Sequence, residues 1–237
     1  MTLKDKNGDI KTISVVIPTI NECQNIKEVI PKLPEFVDEV VVVDGCSTDG
    51  TIEEIKKYRK DAKIIIEKTK GKGVALRRGF KEASGDLIIM MDADGSHDPK
   101  ELPMLVDPVL NGYDVTKASR TLPGGGSDDF TPFRRFGNKM FVTMVNVLYG
   151  ANYTDLCYGY RAFKKEALEK ILLESDGFEI ETEQSILMLK VGLKIKEVPS
   201  FEARRKYGNS RLNSFRDGWK ILKIIMGEYI KGKNHGR

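Results

Sequence analysis

The chain has 237 residues, of which 40% are hydrophobic and 31% charged, the balance of an ordinary soluble globular protein with one large domain. Its 39 basic and 35 acidic residues leave a net charge of +4, too mild to argue for nucleic acid as a partner. Cys23, Cys46 and Cys157 lie far apart, odd in number and without Cys-x-x-Cys spacing. They read as reduced thiols of a cytoplasmic protein, not as a disulfide framework or zinc site. Met1 to Thr12 is polar and lacks the apolar core of a signal peptide. No run approaches the roughly 18 apolar residues of a membrane helix, so any membrane contact is expected to be peripheral.

Ile13 to Ile17 reads as a first strand ending at Pro18, followed by a helix from Asn21 to Leu33 with Asn21 as its cap. Glu39 to Val43 is a second strand ending at Asp44, and Asp49 caps a helix from Thr51 to Tyr58. Lys63 to Glu67 is a third strand, Val74 to Ala83 a helix, and Asp86 to Met91 a fourth strand. This alternation predicts an α/β fold with a mostly parallel, doubly wound sheet. Ligands of such sheets bind beyond the carboxyl ends of the strands. Pro18 to Glu22, Asp44 to Asp49 and Asp92 to Ser96 are therefore expected to converge.

Beyond the fourth strand the pattern is less regular. Tyr113 to Ala118 and Lys194 to Val198 read as strands, and Glu166 to Leu173 and Thr182 to Val191 as helices. Arg120 to Thr131 is a loop rich in glycine and aspartate, and Phe133 to Leu148 is apolar on one side and basic at its start. Without an internal repeat or a long linker, the expectation is one domain, residues 1–212, followed by a C-terminal extension over residues 213–237.

The most informative motif is Asp92-Ala93-Asp94 at the end of an apolar strand. Two carboxylates one residue apart can both reach one hard cation, which then faces phosphate oxygens. Lys72, in Lys70-Gly71-Lys72-Gly73, offers a point charge to a phosphate beside such a site. Asp44 is either a polar strand end or the acceptor for a ribose hydroxyl or base N–H. Arg120, Arg134, Arg135, Arg161, Arg204, Arg205 and Arg211 flank the phosphate side of the sheet. His97 reads as a structural turn residue. Glu179, Glu181 and Glu183 read as a helix start favoured by the dipole, with one of them open to a functional role.

Taken in order, these motifs resemble the family-2 glycosyltransferases of GT-A fold. The nearest branch is the dolichyl-phosphate mannose synthases, which pass a sugar from a nucleotide to a polyprenyl phosphate. The carriers begin with Val16-Ile17-Pro18-Thr19-Ile20-Asn21-Glu22, the run from Val43 to Thr51, Gly71-Lys72-Gly73 and Asp92-Ala93-Asp94. They continue with Ser119-Arg120, Asp155, Gly159-Tyr160-Arg161, Glu181-Thr182-Glu183 and the run from Arg205 to Leu212. The final Arg-x-x-Gly-x-Ser-Arg-Leu stretch is what points to the polyprenyl-phosphate branch.

The resemblance implies a single Rossmann-like GT-A domain and an inverting transfer from a UDP- or GDP-sugar to a polyprenyl or dolichyl phosphate. Such transfer serves protein glycosylation or cell-surface glycan synthesis. It further implies that Pro18, Asn21, Glu22 and Asp44 hold the nucleoside, with Lys72 and Ala93 in the same nucleotide-sugar site. Asp92 and Asp94 would hold Mg²⁺ or Mn²⁺ against the diphosphate. Arg120, Arg134 or Arg135, Arg205, Ser210 and Arg211 would surround the acceptor phosphate, and Asp94 and Arg120 would carry catalysis. Were the acceptor a glycan hydroxyl, a carboxylate base would be needed, and Glu183 is the choice. The chain departs from the family in two places. Gly45 stands where a second Asp often follows the first, and Ser96 where a Gln often follows the metal carboxylates.

Two rival readings are weaker. A sugar nucleotidyltransferase needs a glycine-rich loop after the first strand, where this chain has Pro18-Thr19-Ile20-Asn21-Glu22. A non-catalytic binding module would not need both metal carboxylates. The tail carries Phe215, Trp219, Leu222, Met226 and Tyr229 at helical spacing, with Lys220, Lys223, Lys231, Lys233 and Arg237 around and beyond them. Such a helix either packs on its own domain or lies on anionic lipid with Trp219 at the headgroups. The second arrangement would place the protein peripherally on the cytoplasmic face of a membrane.

Overall fold

The computed structural model describes residues 3–234; Arg237 of the basic tail lies outside them. A short hairpin of β1 (Leu3–Lys4) and β2 (Ile10–Lys11) precedes the alternating region. There β3 (Ile13–Thr19), α1 (Cys23–Val29), β4 (Glu39–Asp44), α2 (Thr51–Tyr58), β5 (Lys63–Ile66), α3 (Lys72–Glu82) and β6 (Leu87–Met90) follow one another. The second half contains α4 (Leu102–Leu110), β7 (Val115–Ser119), β8 (Gly126–Ser127), α5 (Pro132–Tyr149), β9 (Arg161–Lys164) and α6 (Lys165–Leu168). It ends with α7 (Ile180–Lys190), β10 (Ile195–Pro199), β11 (Phe201–Glu202) and α8 (Ser214–Asn234).

The central sheet has seven strands in the order β10-β7-β9-β6-β3-β4-β5. All neighbours are parallel except β9, which runs antiparallel to both β6 and β7. Successive strand residues point to opposite faces, and both faces are covered by helices, so β3 and β4 carry unbroken apolar runs over residues 15–17 and 40–43. Val15, Ile17, Val40 and Val42 pack against Ile26 of α1 and Leu105 and Val106 of α4. Val16, Val41 and Val43 pack against Leu76 and Phe80 of α3 and Ile180 and Met188 of α7. A third cluster joins Phe141 and Val145 of α5, Ile186 of α7, and Ile221 and Ile225 of α8.

Several local expectations change. α1 starts at Cys23 with Glu22 at its N-cap, and Asn21 sits outside it at φ 55°. The Asn21 side chain accepts from Thr48 N–H at 2.8 Å, tying the β3 loop to the β4 loop instead of capping a helix. α1 ends at Val29, where a 3₁₀ turn over Ile30–Lys32 carries Pro31, which lacks the N–H that an α-helix would use. Asp49 does serve a helix start: it accepts from Thr51 N–H at 3.1 Å, and its other oxygen accepts from Cys23 N–H at 3.1 Å. One side chain thereby ties the first turns of α1 and α2. The helix expected over Glu166 to Leu173 is a single turn, Lys165–Leu168.

α8 is a continuous helix that packs on α5 and α7. Its buried face is Asp217, Ile221, Ile225 and Glu228, not the stripe read from the sequence. Leu222 and Tyr229 are half-buried, while Phe215, Trp219 and Met226 face outward. Among the described residues, no helix is long and apolar enough to cross a membrane.

Candidate active site

The loops after β3, β4 and β6 meet at the carboxyl edge of the sheet, as the parallel topology requires. Two clefts of about 370 and 420 Å³ open there, within the range of small-molecule sites. The first lies over the ends of β3, β4 and β5, lined by Pro18, Thr19, Ile20, Gly45 and the segment Glu67 to Lys72. The second runs between the end of β6 and the helices α5 and α8, lined by Phe130, Arg134, Tyr158, Arg204 and Ile221. They share Lys72, Asp92, Asp94, Phe178, Arg205 and Ser210.

That junction is an array of alternating charge. Lys72 opens α3, and its Nζ lies 2.8 Å from Asp92 Oδ1 and 2.8 Å from Glu181 Oε1. Its position is fixed by the preceding loop: Gly71 adopts φ 144°, and a Cβ there would come within 2.1 Å of the Asp176 carbonyl oxygen. Gly73 N–H donates to the same carbonyl at 2.8 Å. Burial opposes the charge on Lys72, but Asp92 and Glu181 outweigh it and hold the ammonium protonated. Burial likewise would raise the Asp92 pKa, yet Lys72 holds that carboxyl below the usual range.

Asp94 accepts from Ser96 N–H at 3.0 Å and from Ser96 Oγ at 2.7 Å, and its other oxygen lies 3.4 Å from Arg205 Nε. Ser96 thus orients the carboxylate from behind. Arg205 also makes a bidentate pair with Glu22, at 2.8 and 3.0 Å. His97 is buried, stacked on Tyr160 at 4.6 Å, and its Nδ1 accepts from Asp92 N–H at 3.0 Å. Burial lowers its pKa, so it stays neutral and braces the turn.

The sequence expectations divide on this geometry. Pro18, Glu22, Lys72, Asp92, Ala93, Asp94, Arg205 and Ser210 line the first cleft, and Arg120 and Arg134 the second. Asp44 does not line either: it is fully buried, and its carboxylate accepts from Ser47 N–H at 2.8 Å and from the Ser47 hydroxyl. Glu183 faces away from both clefts, with its two oxygens accepting from Glu174 and Ser175 N–H at 2.9 Å. It organises the loop before α7 and is not placed to act as a base. Glu181, two residues earlier and so on the other side of the helix, is the carboxylate that reaches the junction.

The arginines also sort differently. Arg161 is fully buried beneath the sheet edge, donating to the Leu156 and Tyr158 carbonyls and to Gln184. It is a structural cation and not part of a phosphate surface. Arg120 lines the second cleft but is committed to Asp155 at 2.7 and 2.9 Å and to Glu202 at 3.1 Å, stacked over Phe130. Arg135 is exposed and lines neither cleft. Arg211 lines the first cleft and donates to the Ile20 carbonyl at 3.3 Å, so it does not converge with Arg134. Glu181, Phe178 and Arg204 were missing from the sequence-derived site. Only Glu181 and Arg204 carried a signal there, each as one member of a charged cluster.

Among the described residues there is no group of three or more His, Cys, Asp or Glu that could enclose a metal ion. The pair Asp92 and Asp94 nevertheless suits a hard divalent cation that takes one or two carboxylates and completes its shell with phosphate oxygens and water. The cationic groups of Lys72 and Arg205 lie against these carboxylates, at 2.8 Å from Asp92 and 3.4 Å from Asp94.

The family model for glycosyl transferase family 2 matches residues 14–172. The chain belongs to that family. It is 34% identical over 209 residues to a dolichol-phosphate mannosyltransferase of Pyrococcus furiosus, covering 84% of this chain and 59% of that protein. It is 30% identical over 224 residues to an undecaprenyl-phosphate mannosyltransferase of Micrococcus luteus, covering 90% of this chain and 92% of that one. Glucosyl-3-phosphoglycerate synthase of Mycobacterium tuberculosis, solved with Mn²⁺, UDP and glucosyl-3-phosphoglycerate, shares the fold with a TM-score of 0.70. Identity there is 23%, over 92% of this chain and 80% of that one. The family-2 chain therefore has the GT-A architecture that its motifs implied.

Proposed function

We propose that this chain is an inverting hexosyltransferase that moves a sugar from a nucleotide sugar to a polyprenyl phosphate at a membrane surface. The observation that carries the reading is the meeting of two clefts at one charged junction. One cleft lies over the carboxyl edge of the sheet at β3, β4 and β5, and the other is flanked by outward-facing aromatic residues of α5 and α8. The relatives named for dolichol-phosphate and undecaprenyl-phosphate support a lipid phosphate as acceptor.

In this reading Pro18, Thr19 and Ile20 seat the nucleoside, and Lys72 places its charge at the diphosphate. Asp92 and Asp94 would hold Mg²⁺ or Mn²⁺, which when bound neutralises the charge developing on the leaving nucleoside diphosphate. Arg134 and Arg204 receive the acceptor phosphate in the second cleft; guanidinium groups bind it without removing its nucleophilic lone pairs. A phosphate oxygen then forms a bond to the anomeric carbon as the bond to the diphosphate oxygen breaks on the opposite face. A phosphate monoester is already ionised near neutral pH, so no free carboxylate base is required. That agrees with Glu183 serving the loop and Glu181 being held by Lys72.

The test is to incubate the protein with labelled GDP- and UDP-sugars, a polyprenyl phosphate and Mg²⁺ or Mn²⁺, then extract into organic solvent. Label is expected in the lipid phase. Label appearing instead in a water-soluble glycan, with none in lipid, would replace the acceptor by a sugar hydroxyl.

A further inference from the structure

The acidic side chains around the ends of β3 and β4 are nearly all spent on the protein itself. Asp44 is buried on Ser47, Asp49 ties the starts of α1 and α2, and Glu22 is clamped by Arg205. Gly45 contributes no side chain, and Ile20 closes over it: a Cβ at position 45 would lie 3.2 Å from Ile20 Cδ1. The wall of the first cleft is therefore apolar where it leaves β4.

Glu67 lies immediately beside that wall. Its N–H donates to the Asp44 carbonyl at 2.8 Å, and its own carbonyl is 3.9 Å from Cys46 Sγ, so it is pinned next to Gly45. Glu67 lines the cleft, and its Oε1 accepts from Thr69 N–H at 2.8 Å, which fixes the carboxylate. The same backbone contact holds the carboxyl below its ordinary pKa, so it is an acceptor only. An unmet polar group shares the cleft: the Thr19 hydroxyl, in a residue only 5% exposed, has no hydrogen-bond partner among the described residues.

We infer that Glu67 reads the base of the donor nucleotide, and that the base it selects is guanine. This rests on the nucleotide-sugar reading above. A fixed carboxylate offers two acceptors side by side, and guanine alone among the common bases presents two adjacent donors, N1–H and the N2 amino group. Uracil presents a single N3–H between two carbonyl oxygens, one of which would face the carboxylate. Adenine and cytosine each place an acceptor nitrogen beside their amino group. The guanine O6 is then left for Lys68 or Lys70, which line the same cleft. Ile20 supplies the apolar face for the purine ring.

Isothermal titration calorimetry of the full chain with GDP, UDP, ADP and CDP, in the presence of Mn²⁺, tests this. GDP is expected to bind at least about tenfold more tightly than the other three, a discrimination of the size that one bidentate contact gives. Glu67→Ala is expected to erase most of the GDP advantage while leaving UDP affinity within about twofold, and Glu67→Gln to lie between. Circular dichroism and thermal melting of both variants check that folding is unchanged. UDP binding as tightly as GDP, or GDP affinity unmoved in Glu67→Ala, would overturn the inference while leaving the glycosyltransferase reading in place. Failure of all four nucleotides to bind would remove the donor site itself, and this inference with it.

Discussion

At the scale of single residues, the candidate site depends on which of two similar side chains faces inward. Glu181 and Glu183 are indistinguishable in the sequence, each following an apolar or small residue at a helix start. The backbone decides between them: two positions along a helix is a rotation of about 200°. Glu181 reaches Lys72, whereas Glu183 satisfies two backbone N–H groups. Glu181→Gln is therefore expected to reduce turnover at least tenfold with little change in melting temperature. Glu183→Gln replaces one of the two acceptors by a donor and is expected to lower stability by about 1–3 kcal/mol. Measuring kcat and thermal unfolding for both variants separates the roles, and equal loss of activity without destabilisation in Glu183→Gln would reverse them. Asp94→Ala is expected to abolish transfer while the fold persists, since among the described residues the Asp94 carboxylate is bonded to Ser96 and paired with Arg205, both at the cleft. Activity should vanish with EDTA and return with Mg²⁺ or Mn²⁺; full turnover in EDTA would defeat the metal assignment.

At the scale of elements, the sequence was most legible where apolar runs alternate with amphipathic ones. β3, β4, β5 and β6 and the convergence of their loops could be read because both sheet faces are covered at β3, β4 and β6, which leaves unbroken apolar runs in those strands. β9 was not legible. It is four residues long, begins with an arginine and ends with a lysine, and owes its strand conformation to the gap between β6 and β7. Its register sets Arg161 opposite Lys117 of β7, two buried cations side by side. Lys117 is satisfied by the Asp155 carbonyl at 3.1 Å, the Glu197 carboxylate at 3.5 Å and the Tyr153 ring at 3.5 Å. Burial first, and Arg161 second, push its pKa down from 10.5 to about 7. Between those two values the unfolded chain binds the proton that the folded chain releases, so this group makes the fold more stable as pH rises through that window. Below about pH 7 both states are protonated and the folded one carries the full cost of the buried charge. Lys117→Met is accordingly expected to flatten the rise in melting temperature between pH 7 and 9, with its largest relative benefit at the lower end. A parallel rise in both proteins would show that Lys117 is not its source.

At the scale of the whole molecule, the question is what holds a protein with these clefts at a lipid acceptor. The exposed side of α5 and α8 carries Phe136 at 69% exposure, Phe215 at 79% and Trp219 at 60%, and the Phe133 ring lies tilted against that of Phe215, with centres 5.2 Å apart. Phe133 also lines the second cleft, so the aromatic patch and the proposed acceptor site are continuous. Arg135, Lys139 and Lys223 are exposed on the same two helices. Aromatic residues backed by basic ones are the composition of a surface that rests in the headgroup region of anionic lipid. Removing α8 altogether would be a poor test, because Ile221 and Ile225 are part of the core cluster with α5 and α7, and the domain would lose packing along with any lipid contact. Phe215→Glu with Trp219→Glu leaves that buried face untouched. We expect the unaltered protein to sediment with vesicles containing anionic phospholipid and the double variant to remain in the supernatant with an unchanged melting temperature. Raising the salt should weaken the first result without abolishing it, since charges are screened over about 8 Å at physiological ionic strength while aromatic burial is not. Transfer to a short, water-soluble polyprenyl phosphate should survive in the double variant even where transfer to the vesicle-borne acceptor is lost. If the unaltered protein stayed in solution at low salt, the aromatic patch would need another partner and the membrane-surface part of the proposal would fall.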